Sequence, residues 1–143
     1  MTSYTVLYDS VLDKIKDYIF ADLEQDDVYS ILNNYIRPAI AKFEECHQDL
    51  SDRNDAEGEF NITLTDTEIE ILSNFMVVEY LDANYIRIPI MLKSTLTSKD
   101  FQTYSPANQL EKVRGVRELY MEENAQLMRN YSYEGSKIFK EKS

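Results

Sequence analysis

The chain has 143 residues, with 15 Lys+Arg against 26 Asp+Glu and a formal net charge of −11. That length, with 43% apolar residues, suits one domain with its own core and excludes a disordered chain. One cysteine, Cys46, and one histidine, His47, exclude a disulfide framework within the chain and a Cys-rich zinc fold.

The start, Met1-Thr-Ser-Tyr-Thr-Val-Leu-Tyr-Asp9, lacks the basic and continuous apolar stretches of a signal peptide, so none is expected. No window approaches the roughly 18 apolar residues of a membrane span. A first helix is predicted from about Val6 to Leu23, with Val11, Leu12, Ile15, Tyr18 and Ile19 on one face. A second begins near Asp27, where Val28, Ile31, Leu32, Tyr35, Ile36, Ala39, Ile40 and Phe43 recur at helical spacing. Pro38 falls inside this run, off the apolar face. It has no N–H for the Asn34 carbonyl and clashes with it, so one kinked helix is predicted.

Residues 50–60 are polar and read as a surface loop, followed by a short extended piece over Phe60-Asn-Ile-Thr-Leu64. The sharpest boundary is next. Thr65 and Glu68 have capping-box spacing, and Leu64 with Ile69 that of a hydrophobic staple. The third helix carries Ile69, Leu72, Phe75, Met76, Tyr80 and Leu81 and ends before Pro89. Residues 88–104 read as a connecting loop or short ribbon. Ser105-Pro106 supplies an N-cap and a first-turn proline for a fourth helix, with Leu110, Val113, Val116, Tyr120, Leu127, Met128 and Tyr131 on its apolar side. Gly115 sits mid-helix, either admitting a close neighbour or tolerated in open space. The fold class is therefore mainly α: a four-helix bundle-like protomer with long connecting loops. Residues 1–131 form a single helical domain and 132–143 a mobile tail.

Charge is partitioned along this layout. Residues 1–60 hold 14 acidic and 5 basic side chains, 61–100 hold 6 and 3, and 101–143 hold 6 and 7. An acidic front and a slightly basic back suit packing between copies or docking on a second protein. Sequence-specific DNA binding is disfavoured for want of a basic patch.

Catalytic and metal constellations fail when tested one by one. Glu44-x-x-His47 has the spacing of a dimetal ligand pair, but a second histidine does not exist in the chain. Cys46 and His47 are sequence neighbours, so on a helix they point in different directions and are poorly placed to exchange a proton; a small buried Cys is the simpler reading. A calcium loop counted from Asp52 has Glu57 where glycine is required and Thr63 where the bidentate glutamate belongs. Three glycines are too few for a phosphate loop or a nucleophile elbow. The sequons at Asn61 and Asn130 carry no meaning without secretion. No catalytic residue, cofactor or metal ligand is assigned.

The 11 tyrosines remain. Tyr18, Tyr35, Tyr80, Tyr120 and Tyr131 fit helix core faces, whereas Tyr4, Tyr104 and Tyr133 fall in or near connecting segments and point to an intermolecular surface.

Two stretches carry a resemblance. Leu64-Thr-Asp-Thr-Glu-Ile-Glu-Ile-Leu72 with Phe75-Met-Val-Val-Glu-Tyr-Leu81 is one. Ser98-Lys-Asp-Phe101 with Tyr104-Ser-Pro-Ala-Asn-Gln-Leu110 and Asn130-Tyr-Ser-Tyr133 is the other. Together they resemble the head–tail connector (head-completion, or adaptor) proteins in the neck of tailed bacteriophages, over residues 64–133. The resemblance implies a structural virion protein without catalysis or cofactor, assembled in the host cytoplasm. It implies a helical protomer repeated as a ring, commonly dodecameric, beneath the portal protein. Such a ring extends the DNA channel, contacts a further neck or tail-completion protein, and passes DNA without sequence-specific binding or membrane attachment. In similar proteins the C-terminal segment reaches the portal or a neighbouring subunit. The candidate interface residues are therefore Tyr104, Tyr131, Tyr133, Lys137, Phe139, Lys140 and Lys142. The alternative is a small acidic binding or inhibitory protein of DNA-mimic type, acting on a nucleic-acid enzyme.

Overall fold

The computed structural model describes residues 1–15, 23–87 and 107–142, with side-chain surroundings for 1–15, 23–84 and 111–133. The fold is mainly helical: α1 (Tyr4–Lys14), α2 (Gln25–Asn33), α3 (Ile36–Lys42), α4 (Asp66–Leu81) and α5 (Ala107–Lys142). α4 continues into a π-helical segment, Asp82–Arg87. Tyr18, Ile19, the 88–104 connection and the Ser105-Pro106 cap lie outside the described residues.

α4 is the axis, packed against α1, α3 and α5. Its capping box is formed as expected: Thr65 accepts from the Glu68 N–H at 3.2 Å while the Glu68 carboxylate accepts from the Thr65 N–H at 2.9 Å. Burial extends beyond the six apolar residues named for it in the sequence: every residue from Ile71 to Leu81 is buried. Ile71, Val77 and Val78 extend the apolar surface around the helix beyond Leu72, Phe75 and Met76, so neighbours can enclose it widely.

The first helix starts at Tyr4, earlier than Val6, because the Ser3 hydroxyl caps it by accepting from the Thr5 N–H at 3.3 Å. The predicted second helix, bent by Pro38, is divided at its bend into α2 and α3. The break is at Asn34–Tyr35, where the Asn34 and Tyr35 N–H groups turn back to Ile31 and Leu32 carbonyls at 3.2 and 3.0 Å. Pro38 acts at a distance of four residues: it cannot bond the Asn34 carbonyl, and breaking there places it in the first turn of α3, where an N–H has no intrahelical partner anyway. The packing stripe nonetheless continues across the break through Val28, Leu32, Ile36, Ala39 and Phe43, all buried.

The 50–60 loop is also more ordered than its composition implies. β2 (Arg53–Asn54) and β3 (Glu59–Phe60) pair antiparallel, and β1 (Thr2–Ser3) joins the other side of β3, giving the order β1-β3-β2. Gly58 makes the turn at φ +67°, the left-handed region glycine tolerates best, and its carbonyl accepts from the Tyr4 N–H at 2.8 Å. Tyr4, expected at a molecular surface, is in the core: its ring meets Phe60 edge-on at 5.0 Å and its hydroxyl donates to Asp55 at 2.5 Å.

α5 does not end near Tyr133. It runs unbroken through Gly115 and Gly135 to Lys142, 36 residues, or about 54 Å. The boundary drawn at residue 132 is therefore not a helix end. A Cβ at Gly115 would meet nothing within 4 Å, which decides in favour of open space over a close neighbour.

Candidate interaction surface

The residues singled out for assembly lie on α5, so its seat on α4 determines what is left for a partner. Three polar contacts define that seat. Arg117 pairs with Asp82 at 2.5 Å, the Asn74 amide donates to Asn124 at 3.3 Å, and the Tyr131 hydroxyl donates to Glu68 at 2.6 Å. As α5 numbers rise, α4 numbers fall, so the helices are antiparallel. Val113, just before these contacts, and Tyr120, Leu127 and Met128 between them pack half-buried against the core.

Glu68 is the centre of a network that ties three segments together. It is 1% exposed. One carboxylate oxygen accepts from Thr65 and from the Gln48 amide at 2.6 Å, and the other from Tyr131 and the Cys46 thiol at 3.4 Å. Burial pushes this carboxyl up, but the donors from Thr65, Tyr131, Gln48 and Cys46 together outweigh it and hold the acid below its ordinary value. The Tyr131 hydroxyl also accepts from the His47 N–H at 2.6 Å, and the His47 ring stacks on Tyr131 at 3.9 Å. Burial pushes the Cys46 thiol up to about 11, the opposite of what a nucleophilic thiolate needs. The arrangement holds α5 in place; it presents no activated nucleophile.

Tyr131 must therefore be moved from the candidate interface to the core, at 5% exposed. Its hydroxyl found a buried carboxylate 63 residues away in sequence, which no local pattern signals. Tyr133, two residues on, is 70% exposed and stays a candidate. Lys137, Phe139, Lys140 and Lys142 lie on the last turns of α5. Because Tyr131 meets the first turn of α4, the helix from about residue 134 onward runs beyond the start of α4. Tyr104 lies outside the described residues. The surface also includes Val116 and Leu119, at 44% and 65% exposure, which sequence periodicity had assigned in part to the core.

The acidic front is a real surface property. Asp9, Asp26, Asp27, Glu44, Glu45 and Asp49 are all exposed. By contrast Asp55 is engaged by Tyr4, Arg37 and Arg53, and the Tyr4 hydroxyl leads the contacts that lower its pKa below the usual carboxylate range. A shallow cleft of about 290 Å³ lies beside this cluster, lined by Asn33, Asn34, Ile36, Arg37 and Asp55. Its two charged groups already neutralise each other. Among the described residues, no three His, Cys, Asp or Glu side chains converge as a metal site, and no helix is long and apolar enough to cross a membrane. No protein-family model matches the chain, and no curated protein or solved structure shows significant similarity to it.

Proposed function

We propose that this protein is a structural component of a tailed-phage particle, a head–tail connector that forms a ring beneath the portal, extends the DNA channel and joins head to tail. The observation that carries this reading is the long α5. About half of it is seated on α4, and its final turns run past the start of that helix, with Tyr133 exposed and lysines at 137, 140 and 142. A helix of this kind supplies an arm for a neighbouring subunit or the portal, while the exposed acids of residues 1–60 suit a channel wall along which DNA slides without sticking. The resemblance over residues 64–133 supports the same role.

The test is reconstitution with the portal of the same particle, followed by imaging. Rings capping the portal are the expected product, and a chain ending at Tyr131 should keep its folded body, losing only the helical signal of the removed turns, yet dock more weakly. If no ring forms and the protein instead binds a nuclease tightly, the acidic-mimic reading replaces this one.

A further inference from the structure

The three polar contacts that seat α5 are spaced seven residues apart: Arg117, Asn124 and Tyr131. The apolar residues four positions before each of them, Val113, Tyr120 and Leu127, keep the same interval. In heptad terms α5 offers α4 polar residues at every a position and apolar ones at d across this stretch. On the facing helix the partners are Asp82, Asn74 and Glu68, at nearly the same interval. A seven-residue repeat has an inherent ambiguity: sliding α5 by one heptad returns each d residue to an equivalent hole, so the apolar contacts alone do not choose a register. The polar contacts do. A slide one way sets Arg117 against Asn74 and leaves Asp82 without it. A slide the other way sets Tyr131 against Asn74 and brings the next residue in the series, Ile138, against the buried Glu68 carboxylate.

The Asn pair shows that stability has been given up here. Asn74 and Asn124 are 0% and 1% exposed. Asn124 donates to the Ile71 carbonyl at 3.2 Å and accepts from Asn74, but the Asn74 Oδ1 has no donor among the described residues. A buried amide oxygen without a partner destabilises the fold, and an apolar pair of similar volume avoids that cost. Asparagine at an a position is the well-attested device for fixing register at the expense of stability.

The geometry points to a register lock: Arg117–Asp82, Asn124–Asn74 and Tyr131–Glu68 hold α5 at one of several apolar-equivalent seats on α4, and so set how far its C-terminal turns extend past the body. The inference concerns the folded monomer and does not rest on the connector reading.

The test places nitroxide labels on exposed positions of the full chain, through Asp66→Cys on α4 and Glu111→Cys on α5 in a Cys46→Ser background, and reads their distance by pulsed EPR. With the polar contacts intact, one narrow distance is expected. In N74L/N124L the melting temperature should be no lower, and a second distance should appear, displaced by about 10 Å, one heptad of helix rise. A single unchanged distance in that variant overturns the lock. Should it not fold, R117D against R117D/D82R decides. The single variant should show the split distribution and the charge-swapped double variant one peak again; one peak in both overturns the proposal.

Discussion

The two longest helices, α4 and α5, lie side by side and are held by different physics. α4 is enclosed: every side chain from Ile71 to Leu81 is buried. α5 between residues 111 and 133 has only Asn124 and Tyr131 fully buried. An enclosed helix draws its stability from area removed from water, which is large and tolerant of small rotations. A helix seated on one narrow seam gains less from burial and depends on directional contacts for its orientation. The difference teaches where to look for function. Surface already covered has done its work in folding, while α5 keeps most of its circumference for another molecule.

The contrast breaks first at the core. Met76→Ala, at a position with 0% exposure, should cost about 2–5 kcal/mol in urea unfolding, through lost burial and the cavity left behind. Leu119→Ala on α5 should stay within about 0.5 kcal/mol of the parent. Similar losses for the two would end the distinction.

A smaller effect sharpens it. Tyr131→Phe removes a donor to a buried carboxylate and an acceptor for the His47 N–H, and should cost about 1.5–3 kcal/mol. Glu68 adds a pH signature to that network. Its folded-state pKa lies below the ordinary value, so on acidification the unfolded chain takes up the proton first. The contribution is present in full above about pH 4.5, the ordinary glutamate value, and is lost as pH falls through the folded-state value. Glu68→Gln should flatten this part of the stability–pH curve, and an unchanged slope would remove Glu68 from its cause.

The smallest effect has the opposite sign. Gly115→Ala meets open space on an exposed helix face and should stabilise by about 0.8–1 kcal/mol, read as a rise in melting temperature. A loss would mean that a neighbour occupies that face.

Much of the helical frame was legible because its signals are local. The Thr65–Glu68 capping box lies within one turn, and the Val28-to-Phe43 stripe survives the break that Pro38 imposes. That break falls at Asn34–Tyr35 because the proline acts on the carbonyl four residues before it. The β1–β3 pairing joins Thr2 to Phe60, and two-residue strands have no periodicity to read. Tyr4 looked like a surface residue for the same reason. At the candidate surface, Tyr133 was legible from its place beyond the core repeat. The core seat of Tyr131 was legible from the same repeat, but its hydroxyl's partner was not, since Glu68 already had an evident local role as a capping residue. The polar residues of α5 at 117 and 124 carried a seven-residue interval that only their partners on α4 make visible.

Cys46 has a consequence for measurement. It is the only thiol in the chain, partly covered, with its ionisation held up to about 11 by the same environment that anchors Tyr131. In the closed protein almost none of it is thiolate at neutral pH, so a disulfide reagent reacts chiefly when the end of α5 lifts away and the thiol regains its ordinary acidity. The rate of that reaction is a built-in clock for helix opening. It ticks in the unlabelled protein, and a partner that clamps α5 would slow it.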